Sequence, residues 1–177
     1  MAVHIALHEV GATFQARALS LQRKDNHAPA YRAINSEAKV PVLLVEGRAL
    51  TEVAGILFYL ARRFPDAGLL PDDDSEAEAR IVSWMSFLAS SAHPAWRNPG
   101  EETHAIYAIA ENRLGPHGWA VGDRLSIADI HLFRLFWRFH ASNGLARSDF
   151  PRLFAHHDRM LARPAVQKTI AIEAAVA

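Results

Sequence analysis

Gly122-Asp123-Arg124-Leu125-Ser126-Ile127-Ala128-Asp129-Ile130 is the most constrained stretch of this chain. Ser126 stands three residues before Asp129 and just ahead of a strongly apolar run, the spacing of a doubly capped helix start. The Ser126 hydroxyl is expected to accept the Asp129 backbone N–H. The Asp129 carboxylate is expected to reach back to the Ser126 N–H. Leu125 and Ile130 hold the two positions of a hydrophobic staple, which sets the angle at which the chain enters the helix. Ile127, Ile130, Leu132, Phe133, Leu135, Phe136 and Trp137 follow. A helix apolar on nearly every side belongs at the centre of a helical domain.

The chain has 177 residues, 19 acidic and 19 basic side chains, and no cysteine. That length supports one sizeable core or two small packed domains. Zero net charge gives no reason to expect nucleic acid or an anionic membrane as a partner. No apolar window is long enough to span a bilayer, and the start does not read as a signal peptide, so a cytoplasmic soluble protein is expected. Without cysteine there is no disulfide framework and no thiolate nucleophile. His4, His8, His27, His104, His117, His140, His156 and His157 show no metal-ligand spacing with an acid, and no metal is predicted. Trp96, Trp119 and Trp137 are predicted to serve the core or an interface.

The character of the chain changes near Pro71-Asp72-Asp73-Asp74. Residues 1–70 mix β-like stretches with helices, and residues 75–177 have helical period almost throughout, which suggests two domains. In the first part, Ala2–Glu9 reads as a helix ended by Gly11, and Phe14–Leu19 alternates like a strand. Asp25–Ala30 reads as loop. Val42–Val45 reads as a buried strand, followed by a turn at Glu46-Gly47-Arg48. Thr51 is placed to cap a helix running to Arg63 with Ile56, Leu57, Tyr59 and Leu60 inward. In the second part, Ser75 and Glu78 make another capping box. Ile81, Trp84, Met85, Leu88 and Ala92 form one apolar stripe behind it, with Ser86, Ser90 and His93 on a neighbouring face. Glu101–Leu114 is a further helix, and Pro151 and Pro164 open two more.

The capped segment at 122–130 resembles the helix start of the glutathione transferase C-terminal domain. Val40-Pro41-Val42-Leu43, the turn after it and Leu50-Thr51-Glu52 resemble the glutathione-binding half of the same family. The resemblance runs from the first helix onward. It implies a thioredoxin-like α/β domain, truncated at its start, followed by an all-α domain. In the family, the residue before a cis proline pairs with the cysteinyl backbone of glutathione, and an acidic or amide residue at the next helix start holds the γ-glutamyl group. Carried over, those roles fall to Val40, Pro41 and Glu52, with the helix start at Val53 meeting the ligand carboxylate. The residues alone read Val40-Pro41 as an ordinary trans proline at a strand edge, the resemblance implies the cis isomer, and Glu52 also reads as a first-turn acid that complements the helix dipole. At Val53 the family has a serine hydroxyl, so weaker binding is expected.

Trp84–His93 resembles the first C-terminal-domain helix of the bacterial beta-class enzymes. There a histidine at the place of His93 points toward the glutathione sulfur, and an asparagine at the place of Ser86 reaches the ligand of the neighbouring subunit. His93 also reads as a helix-terminal histidine before Pro94. The family has a strand and a catalytic serine, tyrosine or cysteine ahead of the first helix. Nothing in this sequence matches them, so either the start lies upstream or the fold is rearranged there. The function implied is glutathione conjugation of a small electrophile by a homodimer. A non-catalytic binding module of the same fold is the alternative.

Overall fold

The structure is a computed structural model that describes residues 1–95, 100–143 and 145–175. Trp96 lies outside the described residues. The order of elements begins with α1 (Ala2–Glu9), a 3-10 turn (Asp25–His27) and α2 (Pro29–Arg32). Strands β1 (Leu43–Val45) and β2 (Arg48–Leu50) and helix α3 (Val53–Arg63) follow. The rest is helical: α4 (Ser75–Phe87), a π turn (Leu88–Ala92), α5 (His93–Ala95), α6 (Glu101–Arg113), α7 (Ile127–Asn143), α8 (Pro151–Leu161) and α9 (Pro164–Ala174). A small thioredoxin-like α/β part thus precedes a helical part, as expected.

Helix α7 is the axis of the molecule. Helices α1, α3, α4 and α8 and the π turn all pack against it. Ile127, Ile130, Leu132, Phe133, Leu135 and Phe136 are buried, and Trp137 is half-buried against the same core. The start of α7 is held by Asp129, whose side chain is fully buried. Its carboxylate accepts the Ser126 N–H at 2.8 Å, the Ser126 hydroxyl at 2.7 Å and the Ala120 N–H at 2.7 Å. His156 Nε2 of α8 adds a fourth bond at 3.1 Å. The expected box is therefore half reciprocal: the Ser126 hydroxyl donates to the carboxylate, and the Asp129 N–H bonds the Ser126 carbonyl at 3.1 Å. A carboxylate is the stronger acceptor, which accounts for the swap. The Ile127 N–H, an orphan donor of the first turn, is taken by the Leu69 carbonyl at 3.1 Å. That bond ties the connecting segment to the axis.

Other termini are closed from a distance. Glu111 of α6 accepts the Arg152 and Leu153 N–H groups, each at 2.8 Å, and so caps α8 across 41 and 42 residues. Pro151 and Pro164 occupy the first turns of α8 and α9, as expected. Arg163 grips Glu9 with two bonds of 2.6 and 2.7 Å, joining the end of α1 to the entry of α9. Arg62 of α3 pairs with Glu78 of α4.

Several expectations need correction. Phe14–Leu19 forms no strand. Residues 15–18 are exposed, so water satisfies backbone groups that have no neighbouring ladder. Asp25–Ala30 is not plain loop but carries the 3-10 turn and the opening of α2. Strand β1 is not buried: Leu44 is 52 % exposed, and among the described residues β1 pairs only with β2, a strand the sequence pattern did not show. The hairpin closes through Glu46-Gly47 with φ of 50° and 78°, the two positive values a type I′ turn needs. Thr51 is not the cap of α3; the capping position belongs to Glu52, with φ 62° and ψ 127°. Asp74, one residue before Ser75, caps α4 by accepting the Ala77 N–H at 2.9 Å.

Replacing Asp129 by alanine should leave three donors and a histidine unpaired in the core, at a cost of about 3–5 kcal/mol. Ser126→Ala keeps the backbone donor and should cost about 1 kcal/mol. Urea unfolding of the two variants measures both, and equal losses would show that the hydroxyl, not the carboxylate, organises this corner.

Candidate functional site

The segment before Pro41 is held rigidly by polar side chains. Asn26 Nδ2 donates to the Ala38 carbonyl at 2.6 Å, and Asn35 Nδ2 and the Tyr31 hydroxyl donate to the Lys39 carbonyl at 2.9 and 2.6 Å. Asn26 and Asn35 are buried for this purpose. Ala38 sits at φ 53°, which such anchoring sustains. Reading 25–30 as loop concealed Asn26, and Tyr31 and Asn35 lie just beyond that segment. Their only sequence signal was a pair of amides flanking a tyrosine.

The Val40-Pro41 peptide is cis. Val40 is 44 % exposed, and its N–H and C=O take no partner among the described residues. An extended ligand backbone can add to such an edge. Pro41 leads directly into β1, and the hairpin returns the chain to Glu52. There Glu52 caps α3 at a positive φ, a costly conformation for a residue with a side chain and one that clusters at ligand sites. The first hydrogen bond of α3 runs from the Ile56 N–H to the Glu52 carbonyl at 3.0 Å. The N–H groups of Val53, Ala54 and Gly55 therefore have no intrahelical acceptor. No atom lies within 4 Å of where a Cβ on Gly55 would stand, so this side of the helix start is open. Glu52 is an exposed carboxylate 3.8 Å from Lys39 Nζ, whose closer partner is Glu37 at 2.7 Å. Free N–H groups beside a carboxylate suit a zwitterionic α-amino-acid end.

His93 is the first residue of the three-residue α5 and stands before Pro94. It is half-buried and directly follows the five-residue π turn, a rare distortion found mostly at functional positions. His131 of α7, which the sequence reading passed over, is its electrostatic neighbour. Burial foremost, then the His93 and Arg134 charges, push the His131 pKa down to about 3. Ser86 lies exposed on α4. The structure thus brings Lys39, the neighbour of Val40, within 3.8 Å of Glu52 at the start of α3, and puts His93 on the helical part with His131 as its electrostatic neighbour. Trp119 is half-buried, edge-on to His156 and covered by the Arg159 guanidinium at 4.8 Å. Among the described residues no group of three or more possible metal ligands comes together, and no helix is long and apolar enough to cross a membrane.

An α/β part that presents an open backbone edge and a free helix start, joined to an all-helical part, defines a glutathione-transferase-like architecture. Comparison with known proteins agrees with that class. The glutathione S-transferase N-terminal domain model matches residues 1–63, and the C-terminal domain model matches residues 94–164. Glutathione S-transferase GstA of Escherichia coli O157:H7 is 30 % identical, over 98 % of this chain and 93 % of its own. The maleylacetoacetate isomerase of Pseudomonas aeruginosa is 29 % identical, over 94 % and 88 %. A sphingomonad glutathione S-transferase solved with glutathione superposes with a TM-score of 0.82 at 31 % identity, over 98 % of this chain and 93 % of that one. A Sulfitobacter homologue with bound glutathione gives 0.88 at 26 % identity, over 97 % and 92 %. The chain belongs to the glutathione S-transferase family.

His131 also makes stability depend on pH. Its folded pKa lies below the ordinary value of 6.5, so the unfolded chain binds the extra proton as pH falls below 6.5. Stability is then lost at up to about 1.4 kcal/mol per pH unit through this group. Urea unfolding between pH 7 and pH 5 should show a smaller decline in His131→Leu than in the parent. Parallel declines would place the imidazole in water.

Proposed function

We propose that this protein binds glutathione and conjugates it to small electrophiles by thiolate attack. One observation carries the reading: the unpaired backbone of Val40 opens beside Pro41, next to the free N–H groups at the start of α3. The cysteinyl backbone of glutathione pairs with the Val40 N–H and C=O as an added strand. The γ-glutamyl carboxylate meets the helix start at Val53, and its ammonium pairs with Glu52. Glutathione held in the sphingomonad and Sulfitobacter relatives supports this choice of ligand.

His93 donates a hydrogen bond to the sulfur and favours the thiolate over the thiol. The thiolate forms a bond to the electrophilic carbon, the leaving group departs with the electron pair, and the thiol proton passes to solvent. The electrophile sits between the α/β part (residues 1–70) and the helical part (residues 75–177), which act as two domains. A homodimer in the cytoplasm completes the reading. Val82 on α4 and Ile109 on α6 are exposed apolar side chains on the helices that would meet, with Ser86 directed to the neighbouring subunit's ligand. Val53, which offers no hydroxyl, favours one alternative: a glutathione-binding module without turnover.

Retention on immobilised glutathione, then conjugation of 1-chloro-2,4-dinitrobenzene, tests the reading. Retention with turnover is expected. Retention alone supports the binding module, and no retention removes both. In His93→Ala the apparent pKa of bound glutathione should rise, with roughly tenfold slower conjugation near neutral pH for each unit of that rise. An unchanged pH–rate curve would take His93 out of the chemistry.

A further inference from the structure

A cavity of about 460 Å³ lies in the helical part, lined by α4, the C-terminal end of α6 and the turn that follows it. Trp84, Pro116 and Val121 give it apolar surface. Arg80, Arg113 and His117 give it two guanidiniums and an imidazole, and no carboxylate lines it. None of these residues belongs to the surface assigned to glutathione. The cavity is also remote from His93, since Trp84 stands nine residues earlier, about 13 Å along a helix.

Arg113 is held in place without being neutralised. The Trp84 and Phe87 rings stand 6.0 Å apart at 76° to each other, and the guanidinium lies over both, 4.7 and 4.8 Å from their centres. Its Nη2 donates to the Ser83 hydroxyl at 3.1 Å. Among the described residues no carboxylate pairs with it. Trp84 is itself fixed, its Nε1 donating to the Ala120 carbonyl at 2.9 Å. Aromatic faces hold a guanidinium in one orientation while its planar fork keeps donors for an anion. Arg80, one turn before Trp84, bonds Glu76 at 3.1 and 2.6 Å. Both side chains of that pair are exposed, so a ligand can displace the contact at little cost. The turn that carries the imidazole is pinned as well, by Arg159 Nη1 on the His117 carbonyl at 2.8 Å.

Two guanidiniums from separate helices around one space suit a doubly charged group with several acceptor oxygens. A bare ion would leave most of the volume empty and the apolar surface unused, whereas a small organic ligand fits a cavity of this size. We propose that this cavity binds an organic phosphate monoester, with the phosphate dianion received by Arg113 and Arg80 and an apolar body lying against Trp84, Pro116 and Val121. The site stands apart from glutathione and does not depend on the conjugation reading. At about 100° per residue, Val82 and Ser86 fall on the side of α4 opposite Arg80 and Trp84, so the subunit contact proposed above leaves this side of α4 free.

Calorimetric titration with phenyl phosphate at about pH 7.5, where such esters are mostly dianions, tests the site. The parent should bind it about tenfold or more tighter than benzoate, which offers one charge and two oxygens. Inorganic phosphate should bind severalfold more weakly than the ester for want of the apolar body. Saturating glutathione should leave phenyl phosphate binding unchanged. Arg113→Met should weaken it about tenfold or more, as expected for loss of a charge-assisted bond, and Arg80→Met severalfold. Ser83→Asp, at an exposed position on α4, gives Arg113 a counter-ion from its own chain and should weaken binding as much. That variant serves if Arg113→Met does not fold. No binding to the parent, equal binding in the parent and Ser83→Asp, benzoate or inorganic phosphate bound as tightly as the ester, or displacement of the ester by glutathione overturns the proposal.

Discussion

A single buried carboxylate organises this protein. Asp129 collects two backbone N–H groups, a hydroxyl and an imidazole at the head of α7. Those four groups come from the loop before the helix, from its cap and from α8. Each donor would be an unpaired buried polar group without the carboxylate, so none can leave its place cheaply. The helix that this corner anchors is the surface on which α1, α3, α4 and the π turn rest. The α/β part therefore takes its footing from a contact far from its own strands. The Leu69 bond to the helix start and the Arg163–Glu9 clamp complete that attachment.

The edge proposed to receive the ligand works on a different principle: its backbone groups have no partner among the described residues. Val40 has an open N–H and C=O, Glu52 holds a disfavoured φ, and the first turn of α3 has free donors. Nearby side chains prevent collapse of that surface. Asn26, Tyr31 and Asn35 fix the carbonyls just upstream, so the edge is presented without flexing toward its own neighbours. Preorganisation of this kind lowers the ordering cost of binding.

The helical part was legible because its signals are local. The serine–aspartate spacing, the prolines at helix starts and the apolar stripes of α4 and α7 each act within one or two turns. The errors have one cause. Phe14–Leu19 has strand-like alternation, but a strand is defined by its neighbour, and alternation says nothing of that. Strand β2 was missed because Arg48 and Ala49 are exposed on a hairpin with little buried surface to pattern it. Val40, Glu52 and His93 are candidates through resemblance to a family, not through spacing. His131 went unseen because a polar residue inside an apolar helix has no distinctive pattern. Only its unpartnered Nδ1, visible in three dimensions, singles it out.

The most direct measurement is amide hydrogen exchange at Val40. In the free protein its N–H is exposed and unbonded, so it should exchange close to the rate of an unstructured peptide. With saturating glutathione the same amide should become strongly protected, together with the first turn of α3. Val40 exchange that stays fast in the presence of bound glutathione would contradict the account.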